Sequence, residues 1–142
     1  MQLHTPEVGE HFLGMAVKLQ DIPGLSLKNR EIVILVVGAK YQADYELYAH
    51  KVLALKHGIT EAEIESNLHT ECPRSFSTEE RTVYDATCEL VSKPGPLSEE
   101  KWRNLVAAIT KDGATAVVQY AAFYSYVATI LNGFDCRVPG AE

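Results

Sequence analysis

The sequence predicts an all-α fold: a single-domain bundle of six or seven helices. Three observations point to it. Apolar residues recur at three- and four-residue steps along most of the chain. Capping residues stand where those periodic segments begin, at Thr5, Thr60, Ser77 and Ser98. No hairpin signal joins two strand-like runs, so a sheet has no second member.

Taken in order, Thr5-Pro6-Glu7 starts the first helix with a hydroxyl, a proline at the first helical position and an acid in the first turn. Val8, Phe12, Met15, Ala16 and Leu19 follow at helical spacing, and Ile22-Pro23-Gly24 ends it. Ser26 to Tyr41 contains the β-branched run Ile32 to Val37, which in isolation suits a buried strand. The apolar tract is too long for one strand and has no partner, so it is read as a buried helix. A third helix runs from about Ala43 to Gly58, whose glycine suits the position just past a helix end. Thr60-Glu61-Ala62-Glu63 is a capping box for a short helix to about Leu68. Ser77-Thr78-Glu79-Glu80 opens another, through about Val91, with Val83, Ala86, Thr87 and Leu90 inward. Ser98 caps a helix striped by Trp102, Leu105, Val106 and Ile109. Asp112-Gly113 reads as a joint before a long helix from Ala114 to Leu131, and residues 136–142 read as a loose tail.

The chain has 142 residues, room for one domain with a sizeable core. A net charge of −6 with no basic run argues against nucleic acid or an anionic membrane as partner. The N-terminus has no signal-peptide pattern, and no apolar stretch is read as long enough to span a bilayer. Cys72, Cys88 and Cys136 are too few and too widely spaced for a disulfide framework or a zinc site. A cytoplasmic, reduced protein is expected.

The candidate chemistry lies between Leu27 and Asn67. Glu46 and His50 share a helix face one turn apart, so the carboxylate can orient the ring as a general acid/base unit. The plain alternative is a surface pair worth roughly 0.2–0.5 kcal/mol. Glu31 heads an apolar helix, either solvated in its first turn or buried beside a partner such as His50. Arg30 is a candidate anion clamp or a structural partner for an acid. Tyr41, Tyr45 and Tyr48 flank the pair, with Tyr45 the first choice for a pocket hydroxyl. Tyr120, Tyr124 and Tyr126 cluster in the last helix, suited to a pocket or to packing. His57 would stand roughly 10 Å along the helix from His50, too far to share an ion, and its place near a helix end is explained by the dipole. His4, His11 and His69 have no ligand spacing, and no metal site is expected.

Three segments carry a resemblance: Leu27-x-x-Arg30-Glu31 with the apolar run after it, Tyr45-Glu46-x-x-x-His50, and Ala54-x-x-x-Gly58-Ile59-Thr60-x-x-Glu63-Ile64. With the aromatic segment from Val118 to Phe134, they resemble the carboxymuconolactone decarboxylase family and its alkylhydroperoxidase D-like all-α fold. The resemblance implies a small-molecule substrate, no organic cofactor, and a homo-oligomer, trimer or hexamer before dimer. Peroxide-reducing relatives carry Cys-x-x-Cys before the histidine, where this chain has Ala43 and Glu46. Glu31 falls at their proton-relay glutamate, His50 at their histidine and Tyr45 where a second relay histidine can lie. The Tyr-x-Gly-x-Pro-like segment of the true decarboxylases does not follow Asn67. The resulting expectation is acid/base chemistry, decarboxylation or isomerisation, on a small carboxylated or enolisable ring compound. His50 would move the proton, Glu46 orient it, and Glu31 and Tyr45 support it. A peroxidase-type antioxidant protein and a non-catalytic binding protein are the rival readings.

Overall fold

The β-branched run Ile32 to Val37 is helical and lies at the centre of the core, with none of its six side chains more than 4% exposed. The computed structural model describes residues 5–140. Among them are six helices and no strand: α1 (Pro6–Leu19), α2 (Leu27–Tyr41), α3 (Asp44–Lys56), α4 (Glu61–Leu68), α5 (Thr78–Ser92) and α6 (Glu99–Gly133). Helix α2 packs against α3, α4, α5 and α6. That enclosure is why it is apolar on every side and buried without a break from Glu31 to Gly38.

The expected caps are largely present. Ser26 accepts from the Asn29 N–H, and both capping boxes form reciprocally, Thr60 with Glu63 and Ser77 with Glu80. Thr5 makes no side-chain cap, so Pro6 alone marks the start of α1. Helix α1 is the least enclosed element: only Gly9 and Leu19 are buried, and Val8, Leu13, Met15 and Val17 are all exposed.

The joint expected at Asp112-Gly113 is displaced. The break inside α6 falls at Ile109 and Thr110, the latter at φ 71° and ψ 168°. Thr110 Oγ1 then accepts the Gly113 N–H at 3.4 Å and restarts the helix. Gly113 serves packing instead. A Cβ there would collide with the Gly24 carbonyl oxygen, so the α1–α2 loop can approach α6 only because this position lacks a side chain. Contrary to the sequence expectation, α6 is long and apolar enough to cross a membrane by length and composition alone. Ala114, Val117, Tyr120, Ala121 and Phe123 on it are buried against the rest of the fold, while Ala122 and Tyr126 are exposed.

Candidate active site

Helix α2 places Glu31 one turn beyond its cap, past the first turn where an exposed acid would sit, and the residue is 5% exposed. Helix α3 runs alongside and points His50 at it. His50 Nδ1 lies 2.9 Å from Glu31 Oε2. The residue that orients His50 is therefore Glu31, from a different helix, and not Glu46 one turn away. His57, the C-cap residue just past α3, brings its Nδ1 to 3.5 Å from Glu31 Oε1. The two histidines approach the carboxylate from either side. Their separation along the helix axis argues against a shared metal ion, but a carboxylate from another helix reaches both rings.

From α6, Tyr124 sets its ring edge-on to His50 at a centroid distance of 5.2 Å, and Tyr120 stacks on Tyr124 at 5.9 Å. Burial first, and then the nearby Glu31 carboxylate, push the Tyr124 phenol well above the ordinary tyrosine range. The Tyr124 hydroxyl is thus a proton-holding group at neutral pH. These residues line a cavity of about 310 Å³ together with Arg30, Ile34 and Leu53. That is the small end of the range for ligand pockets.

Arg30 belongs to the wall but is not free to clamp an anion. Its guanidinium donates to three backbone carbonyls, Gln20 at 2.9 Å, Ile22 at 3.0 Å and Leu25 at 3.1 Å. Its face also lies 5.6 Å from the Tyr120 ring centre. Its role is structural, but its partners are backbone carbonyls and not the acid expected from the sequence. The loop after α1 ends in carbonyls that no helix satisfies, and Arg30 answers them.

Glu46 is the largest departure from expectation. It is 2% exposed, and neither carboxyl oxygen has a hydrogen-bond partner. It points from α3 into α2 at Gly38, where a Cβ would lie 3.9 Å from its Oε1. Burial alone raises its carboxyl from 4.5 to about 8, so it is neutral at pH 7. A neutral acid inside the fold cannot stabilise an imidazolium on the surface of the cavity.

Tyr45 and Tyr48 pair with each other on the outer face of α3, ring centres 6.3 Å apart, and are 37% and 52% exposed. Neither lines the cavity. Tyr41 ends α2, half-buried, with its carbonyl accepting from Asn132 at 2.7 Å. It does not reach the cavity either. Helical phase explains the two on α3: positions 45 and 48 face away from α2 when 50 and 57 face it. Cys72, Cys88 and Cys136 are free thiols outside the cavity, while Ala43 and Glu46 are both buried. His11 is exposed, His69 pairs with Glu65 on the surface at 3.0 Å, and His4 lies outside the described residues. Among the described residues no group of three His, Cys, Asp or Glu is arranged to hold a metal ion.

Residues 6–89 match the carboxymuconolactone decarboxylase family. The chain belongs to that family. The matched span contains Glu31, His50 and His57 and stops before α6, so the two tyrosines of the cavity lie outside it. Among solved structures, a protein of unknown function from Agrobacterium tumefaciens, ATU0492, advanced as an antioxidant defence protein AhpD, superposes with a TM-score of 0.88 at 13% identity. That superposition covers 99% of this chain and 96% of the other. The debrominase Bmp8, solved with 2,3,4-tribromopyrrole, superposes at 0.81 with 11% identity, covering 96% of this chain and 73% of that one. At identities this low, the superpositions show a shared fold alone. No curated protein matches the sequence. Within the family fold, this member has Glu31 and His50 in contact and lacks a thiol pair at the positions before the histidine.

Proposed function

We propose that this family member is an acid/base enzyme acting on a small, largely apolar, enolisable ring compound. The observation that carries the reading is the 2.9 Å contact between His50 Nδ1 and Glu31 Oε2 on the wall of a small cavity. With Glu31 ionised, the proton between them belongs to Nδ1, because a carboxylate can only accept. Nε2 is then the ring nitrogen left to take a proton from a substrate carbon and return it. As Nε2 gains that proton, the adjacent carboxylate stabilises the imidazolium. Tyr124 is placed to hold a hydrogen bond toward an oxygen that becomes an enolate, since its phenol keeps its proton.

Decarboxylation of a lactone acid, the activity in the family's name, is the more specific alternative. It would set a substrate carboxylate beside Glu31 in a cavity whose guanidinium is already held by three carbonyls. Proton transfer without loss of carbon dioxide avoids that repulsion, which is why it is preferred. A disulfide cycle of the peroxide-reducing kind has no paired thiols to run on.

The test is exchange of the α-hydrogens of γ-lactones and cyclic ketones for deuterium in deuterium oxide, followed by loss of their proton NMR signals, beside an assay for carbon dioxide released from lactone acids. His50→Ala and Glu31→Gln are each expected to slow exchange roughly 10²–10⁴-fold. The double variant should be little slower than the worse single one, because the two work as a unit. Release of carbon dioxide with no faster exchange would favour the decarboxylase reading. Exchange that survives both substitutions would remove the assignment.

A further inference from the structure

We propose that His57 is a positioning residue of the same site, carrying a proton on Nδ1 that holds the second oxygen of Glu31. The inference deepens the acid/base reading and rests on it only for its catalytic arm. No motif marks His57, and from helical distance it is simply a basic residue at a helix end.

The first support is the chemistry of the contact. His57 Nδ1 is buried, has no hydrogen-bond partner, and faces Glu31 Oε1 at 3.5 Å. If both atoms lacked a proton, two lone pairs would oppose each other away from water, a buried polar clash with nothing to relieve it. A proton on His57 Nδ1 removes the clash. The shorter contact on the other oxygen already places one between Glu31 and His50. Glu31 is therefore held by a histidine on each oxygen.

The second support is how firmly the backbone holds the ring. Helix α3 ends in a Schellman turn: the Ile59 N–H donates to Ala54 at 2.9 Å and the Gly58 N–H to Leu55 at 3.1 Å. Gly58 adopts φ 89°, which a side chain would strain. Ile59 is buried and anchors the turn. His57 sits inside this fixed end, its side chain 18% exposed and part of the cavity wall.

The consequence is geometric. A carboxylate held on one oxygen alone can rotate about its last bond, and His50 would lose its tautomer and direction when it did. With Oε1 held by His57, Oε2 stays on His50. Small misplacements of a reacting group are costly, up to roughly 10²-fold for about 1 Å.

The deciding experiment reads the ring nitrogens of the ¹⁵N-labelled full chain by long-range proton–nitrogen NMR. The expected result is a protonated Nδ1 on both His50 and His57, although a free neutral imidazole prefers its proton on Nε2. Glu31→Gln should move the Nδ1 signals of both rings, and His57→Gln should move those of His50. His57 showing an unprotonated Nδ1, unmoved by Glu31→Gln, would overturn the proposal. Should His57→Gln fail to fold, the Glu31→Gln comparison still decides. In the deuterium-exchange assay, His57→Gln should lower kcat roughly 10- to 100-fold with KM nearly unchanged. Intact coupling in the spectra with no exchange by any variant would support His57's role and count against the acid/base function alone. Normal kcat in a folded His57→Gln protein would overturn the positioning role.

Discussion

Glu46 and Glu31 are the same residue type on adjacent helices, and their environments assign them opposite roles. Glu31 has a histidine at each oxygen, whereas Glu46 is enclosed by α2 with no partner at all. The folded Glu46 carboxyl keeps its proton to about pH 8, while the unfolded chain releases it near 4.5. The folded state binds more protons between those values, so Glu46 makes stability fall as pH rises from about 4.5 to 8 and level off above. Glu46→Gln removes the ionisation and keeps the shape. It should leave stability near pH 5 almost unchanged and raise it at pH 9, on the order of a few kcal/mol. Urea midpoints of the two proteins across that range check this, and parallel curves would show that Glu46 is not the buried acid described. Exchange activity at neutral pH should survive the same substitution.

At the scale of elements, the site depends on α6 lying close to the loop after α1, because that loop anchors Arg30 and α6 carries Tyr120 and Tyr124. The closest approach is Gly113 against Gly24. Gly113→Ala would push its methyl group into backbone and not into a side chain that could swing away. It should destabilise the fold by about 1–3 kcal/mol, the range for overpacking. This exceeds the gain of up to about 1 kcal/mol that alanine brings over glycine within a helix. A urea midpoint that rises would show that the two segments can separate at little cost. The kink at Ile109 and Thr110 lies just before Gly113, and Thr110 recaps the chain there.

For the whole molecule, the apolar surface is not evenly distributed. Helix α1 exposes Val8, Leu13, Met15 and Val17, and α3 exposes Tyr48 and Val52, the last at 69%. A groove between α1 and α6, lined by Val8, Phe12, Met15, Phe123 and Tyr126, is almost wholly apolar. Such a concentration fits burial between subunits. We propose a homo-oligomer, with trimer or hexamer favoured by the family resemblance alone, to be read by light scattering at micromolar concentration. Charged substitutions at Leu13 and Val17 should shift the mass toward monomer without changing helix content. A wild-type mass equal to 15.7 kDa at those concentrations would refute the expectation.

The all-α class, the order of helices and most of their ends follow from local signals: apolar spacing, capping boxes, and glycines past helix termini. These depend on residues within a turn or two of each other, so a reading of consecutive residues finds them. The strand-like run in α2 was resolved by the same means, through its length and its missing partner. The glutamate and histidine of the site were also legible as Glu31 and His50, by resemblance and by residue type. Their partnership was one of two alternatives left open, Glu31 solvated in its first turn or buried beside a partner such as His50. Adjacent turns of one helix suggested Glu46 for His50, but a side chain's partner is set by what packs against its helix, and α2 delivers Glu31 to that face. His57 and Tyr124 enter the site for the same reason, from residues 7 and 74 positions away from His50 in the chain. Even the sign of Glu46's role, a neutral acid in the core and not an anion beside a ring, came from burial. Solvent exclusion is a property of the assembled bundle, and no spacing along the sequence encodes it.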